Sequence, residues 1–168
     1  MTAPSASRVD EDLLRALTQR FAATAGELDR SAEFPHQNFA ALHEHKLLGL
    51  TVAEEFGGRG AGIGEALRVL SAVAEGEPST ALILFMTYGY YSGAMGRTDA
   101  WPREVYARMA REAASEVALI GGLRVEPELG TPVRGGMPKT TARKTADGWR
   151  LSGSKIYSTG STGLRWFG

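Results

Sequence analysis

The sequence predicts an α+β chain, with an N-terminal all-α helical part followed by an incomplete antiparallel β part. Three observations carry this. Apolar residues recur at three- and four-residue steps up to about residue 116. Beyond that point the runs become short, alternating and rich in Thr, as strands are. Glycine, at 21 residues, clusters at 57–64, 121–122, 135–136 and 148–168 and punctuates the chain. The sharpest change sets a helical domain at 1–116 and a β domain at 117–168. With 168 residues, 43% of them hydrophobic and 23% charged, a packed core is feasible.

Leu14, Leu17, Phe21, Ala25 and Leu28 mark one face of a first helix, with Ser7 and Asp10 spaced as a capping box. Pro35 can open a second helix, where its missing N–H costs nothing, and Phe39, Leu42 and Leu47 run through it to an end near Gly49. A third helix carries Leu67, Leu70 and Val73. The run 80–96, "TALILFMTYGYYSGAMG", is apolar nearly all round and reads as a buried central helix. Thr98 or Asp99 caps a fifth, with Pro102 in its first turn and Val105, Met109 and Ala113 following. "EVALIGGLRV", 116–125, suits a buried strand, and "KTTARKT", 139–145, a half-exposed one. Asp147-Gly148 signals a hairpin turn, "WRLSG" returns, and "SKIYSTG" runs out again.

Composition narrows the function classes. Lys plus Arg equals Asp plus Glu, at 19 each, so no net charge recommends a nucleic acid or an anionic membrane as partner. Cysteine is absent, which excludes disulfides, a thiolate nucleophile and a Cys-type zinc site. The N-terminus lacks the pattern of a secretory signal, and the 80–96 run is short for a membrane span and broken by glycines. The expected compartment is the cytoplasm.

Four stretches could carry chemistry. "AEEFGGRGAGIGE", 53–65, matches no phosphate-loop spacing and reads as a turned helix–helix connection. His36, His43 and His45 read as surface residues rather than a metal site. "LRVEPELGTP", 123–132, is a strand end followed by a loop whose N–H groups and Thr131 hydroxyl can hold an anion, or else a plain turn. In "SKIYSTGSTG", 154–163, Tyr157 and Thr159 alternate along an extended run. An aromatic ring beside a hydroxyl suits a flat heteroaromatic ligand, though an ordinary strand has the same pattern.

Taken in order, these pieces resemble the acyl-CoA dehydrogenase family from about residue 35 onward. The motifs are "AEEFGGRG", "AEGEPSTA" at 74–81, Val125-Glu126-Pro127 followed by Gly130-Thr131-Pro132, and "TARKTADGWRLSGSKIYST". Val125 stands where the family has Thr, and Pro132 where it has Asp. The resemblance implies FAD, with FMN as the alternative. It is expected to lie along Leu123 and Val125, at Gly130 and Thr131, and against Tyr157, Ser158 and Thr159. It implies α,β-dehydrogenation of an acyl-CoA, with a C-terminal glutamate as base that this chain does not reach. No residue here, including Glu54, Glu55 and Glu126, takes that role. Tyr88 and Tyr91 are candidates to line the substrate cavity, with core packing as their other reading. Trp166 and Phe167 should begin a strand. The chain is therefore expected to be part of a longer, homo-oligomeric enzyme and inactive alone. The alternatives are a reduced-flavin monooxygenase of the same fold and a non-catalytic short homologue.

Overall fold

The structure, a computed structural model, describes residues 8–92, 101–129 and 135–168. Helix α1, Glu11–Ser31, starts where the Asp10 carboxylate accepts from the N–H groups of Asp12 (2.8 Å) and Leu13 (3.1 Å). Ser7, expected to share this cap, lies outside the described residues. Leu14, Leu17 and Phe21 are buried and Ala25 and Leu28 half-buried, as their spacing predicts.

Helix α2, His36–Glu44, follows Pro35 directly and buries Phe39 and Leu42. It stops well short of Gly49. Lys46 takes a left-handed φ of 56°, its N–H donates to the His43 carbonyl, and the Leu47 N–H reaches back to the Leu42 carbonyl (2.8 Å each). This is a Schellman ending. A lysine occupies the position glycine usually takes, and the buried Leu42 and Leu47 flank it in one core.

The segment after Gly49 turns through a short 3-10 helix, Glu54–Phe56, and folds back on itself. The N–H of Arg59 donates to the Gly49 carbonyl, that of Gly60 to Val52 and that of Ala61 to Leu50. "AEEFGGRG" is thus a tight connection.

Helix α3, Ile63–Gly76, buries Ala66, Val69 and Val73. Leu70 is half-buried and Leu67 is 52% exposed, against expectation. The contact with α1 sets this rotation. The Thr18 hydroxyl donates to the Ala72 carbonyl at 2.8 Å, and a Cβ on Gly76 would meet the Thr18 carbonyl oxygen at 2.6 Å. That close crossing puts 66, 69, 73 and 76 toward α1 and turns 67 out.

Helix α4, Pro78–Tyr91, is capped by Glu77, whose carboxylate accepts from the N–H groups of Ser79 (3.0 Å) and Thr80 (2.7 Å). It is buried on most sides, as its composition predicts, but Leu82 and Phe85 form an exposed strip. Helix α5, Arg103–Ser115, follows Pro102 and buries Met109, Ala110 and Ala113. The expected caps Thr98 and Asp99 lie outside the described residues.

Strand β1, Leu119–Gly121, is wholly buried. Leu119 belongs to the α1–α4 core and Ile120 to a second core with Val52, Tyr91 and Met109. Strands β2, Thr141–Thr145, and β3, Gly148–Ser152, form an antiparallel hairpin whose ten residues are all exposed. Its turn residues are Ala146 and Asp147, with Gly148 closing the ladder opposite Thr145 at φ 134°, so the turn sits one residue earlier than the Asp-Gly signal suggests. Strand β4, Leu164–Phe167, contains Trp166 and Phe167 as expected. It pairs with β1 in parallel, because the long connection between them crosses over instead of turning back.

Candidate functional site

The exit of β1 and the face of α4 form the wall of a groove. The β1–β4 ladder continues past Gly121: the Gly168 N–H donates to the Gly121 carbonyl (3.0 Å) and the Leu123 N–H to the Gly168 carbonyl (2.8 Å). Beyond this rung the chain opens. Gly122, Arg124 and Val125 then face Phe85, Met86, Gly89 and Tyr90 of α4 across a groove of about 330 Å³. Among the described residues the lining is apolar apart from Arg124 and the Tyr90 hydroxyl, and it contains no carboxylate.

Val125 joins this groove to the second predicted stretch. The Ile156 N–H donates to the Val125 carbonyl at 3.0 Å in an isolated antiparallel bridge. Two segments far apart in sequence, both named as cofactor-facing, thereby become neighbours. The alternation expected for Tyr157 and Thr159 does not hold. Tyr157 has a left-handed φ of 55°, which breaks the extended run, so the two side chains do not share a pleat. The Tyr157 ring is 80% exposed. Ser158 and Thr159 are half-buried, and Ser158 accepts the Ser161 N–H through its carbonyl (3.0 Å). Thr159 lines a separate cavity of about 630 Å³ with Phe34, Glu77, Ser79, Ile83 and Thr162. Gly130 and Thr131 lie outside the described residues.

Tyr88 and Tyr91 sit in the cores. The Tyr88 hydroxyl donates to the Leu47 carbonyl (2.6 Å) and that of Tyr91 to the Met109 carbonyl (3.1 Å). Burial pushes both phenols up from their ordinary range. Of the three clustered tyrosines, Tyr90 is the one that reaches the groove. A Tyr88→Phe protein should lose about 0.5–1.5 kcal/mol of stability in chemical denaturation, since the Leu47 carbonyl would lose the hydroxyl and keep only the Leu50 N–H at 3.3 Å.

Glu126 is the site's organiser, and the sequence reading gave it no role. It is 4% exposed. One carboxylate oxygen accepts from the Lys155 ammonium (2.8 Å), the Thr140 hydroxyl (2.6 Å) and the Thr140 N–H (3.0 Å), and the other from the Lys139 N–H (2.7 Å). The Lys155 bond first, then those from Thr140 and Lys139, hold its pKa down to about 2. Three segments are thus tied together immediately beside the Val125–Ile156 bridge. The visible signal was the pairing of "VEP" with the lysine of "GSK". Glu77 is a second buried carboxylate. Burial acts to raise its pKa, and the bonds from Thr80 and Ser79 outweigh it and leave it below the ordinary value.

A family model described as acyl-CoA dehydrogenase, N-terminal domain, matches residues 8–111. The chain belongs to the acyl-CoA dehydrogenase family. YdbM of Bacillus subtilis (strain 168), a relative of the acyl-CoA dehydrogenase kind, is 30% identical over 151 residues, covering 90% of this chain and 39% of the relative. The solved structure of KijD3 in complex with dTDP is similar with a TM-score of 0.69 and 32% identity, over 86% of this chain and 36% of KijD3. A nitrososynthase from Micromonospora carbonacea var. africana shares the fold, with a TM-score of 0.74 and 24% identity over 99% of this chain and 42% of that one. The chain therefore spans about two fifths of the length of these relatives. In family terms, the groove lies where the N-terminal helices meet the strand that follows them. Among the described residues no helix is long and apolar enough to cross a membrane.

Proposed function

We propose that this chain forms the flavin- and substrate-facing part of a flavin-dependent oxidoreductase that dehydrogenates an acyl thioester, in practice an acyl-CoA. The observation that carries the reading is the Val125–Ile156 bridge, which sets the rim of an apolar groove beside an exposed Tyr157 ring. The residues present suit a flavin. Tyr157 offers a ring face, and its hydroxyl has no hydrogen-bond partner among the described residues. FAD is the proposed form and FMN the alternative. When bound, the flavin supplies the hydride acceptor. The chain's own residues orient and shield: Tyr157 covers a ring face, and Phe85, Met86 and Val125 keep water from an acyl tail. Among the described residues the groove lining has no carboxylate, and the proton-abstracting base is assigned elsewhere in the enzyme. A homo-oligomer is proposed for the complete enzyme.

A second reading, a reduced-flavin monooxygenase, is supported by KijD3, a structure of which holds FMN with dTDP-3-amino-2,3,6-trideoxy-4-keto-3-methyl-D-glucose. The test is to equilibrate the purified enzyme that carries both this chain and its base with FAD or FMN, remove free flavin and add saturated acyl-CoA thioesters without oxygen. Bleaching of the flavin is the expected result. Oxygen uptake with reduced flavin and no bleaching by thioesters would favour the monooxygenase. Failure to retain either flavin would overturn both. Tyr157→Ala should weaken flavin binding about five- to ten-fold through lost ring contact.

A further inference from the structure

We infer that Arg124 is a specificity-determining residue that selects groove ligands carrying an oxyanion, a carboxylate or a phosphate, on an apolar body. The inference rests on the reading of this groove as the substrate site. Among the described residues that line it, Arg124 carries the charge and the others present carbon surface or a neutral hydroxyl. Among the described residues no carboxylate pairs with its guanidinium, and the Tyr90 hydroxyl has no hydrogen-bond partner. The two groups converge. A Cβ on Gly122 would lie 2.8 Å from the Tyr90 Oη and 3.6 Å from the Arg124 Nε, so the missing side chain at 122 leaves both donors over the same patch of backbone.

A guanidinium fork and a phenol O–H aimed at one place match the lone pairs of an oxyanion. Arg124 is exposed, so its charge is not consumed by a structural ion pair and costs no desolvation until a ligand arrives. Phe85, Met86 and Val125 receive the apolar body. A neutral ligand of the same shape would gain only the apolar contact.

The test compares phenylacetate, phenyl phosphate and phenylacetamide by calorimetric titration, on protein equilibrated with flavin and on Arg124→Gln protein. At least one anion should bind the unaltered protein about ten-fold or more tightly than the amide. Arg124→Gln should erase that preference while leaving amide affinity unchanged, and Tyr90→Phe should reduce it. Equal affinities, no measurable binding, or a preference that survives Arg124→Gln would overturn the inference. Flavin retention is read on the same samples. Protein that holds flavin yet treats acid and amide alike sinks the role of Arg124 alone. Protein that holds no flavin sinks the oxidoreductase reading, and the acid–amide comparison still decides Arg124.

Discussion

A Glu126→Gln protein is expected to lose both flavin retention and its acid-dependent stability. The carboxylate accepts from three residues at once, and glutamine can offer one acceptor oxygen where the ion offered two. Lys155 would keep its charge in a half-buried position without the partner that neutralises it. Its chain neighbour Ile156 carries the bridge to Val125, so loosening Lys155 weakens the tie that holds the Tyr157 segment beside the groove rim. The sign of the pH effect follows from the pKa, which drops on folding from an ordinary 4.5 to about 2. The contribution is therefore complete above about pH 4.5 and fades as the pH falls toward 2. Thermal melts across that window should fall steeply for the parent protein and more gently for Glu126→Gln. Parallel curves would remove Glu126 from this role.

Gly58→Ala is expected to destabilise the helical part by about 3 kcal/mol, near the upper end of overpacking costs. A Cβ at this position would fall inside the contact radius of the Val52 carbonyl oxygen and of Val52 Cβ. Val52 cannot move aside: it is fully buried, and its carbonyl already accepts the Gly60 N–H at 2.8 Å. The neighbouring Gly57→Ala would make only an ordinary contact with Ala114 Cβ at 3.7 Å but has a φ of 89°, so its cost should be about 1–2 kcal/mol, from backbone strain. Gly64→Ala, within α3 and facing nothing within 4 Å, should stabilise by about 0.5–1 kcal/mol. Urea denaturation of the three variants checks the order, and a Gly58→Ala protein as stable as Gly64→Ala would refute this account of the loop.

The helices were legible because amphipathic spacing and Pro boundaries act locally. Leu14, Leu17 and Phe21 or Met109 and Ala113 need no knowledge of the rest of the fold to be placed inward. What misled was tertiary. The rotation of α3 depends on the Gly76 crossing with α1, which periodicity within α3 does not encode. The end of α2 depends on Lys46 adopting a conformation that glycine normally signals. At the site, the strand exit and the 154–163 run were both recognisable, but their contact was not. Tyr157 reads as one step of a pleat, and its left-handed backbone is imposed by the segment's return toward Val125. Glu126 went unassigned because its partners lie 13 to 29 residues away.

The placement of β1 has a kinetic consequence. Leu119 and Ile120 are adjacent residues that plug two different cores, yet β1's hydrogen-bonding partner β4 is synthesised only after the β2–β3 hairpin that separates them. Closing β1 on β4, from Leu119 to Leu164, spans no more chain than the α1–α3 crossing from Thr18 to Ala72, so it is the order of synthesis and not loop length that makes β4 join after the helices. Helix packing and β4 docking should therefore be separable steps when the chain is made vectorially. During synthesis, the nascent helical part emerges from the ribosome well before the strand that completes it.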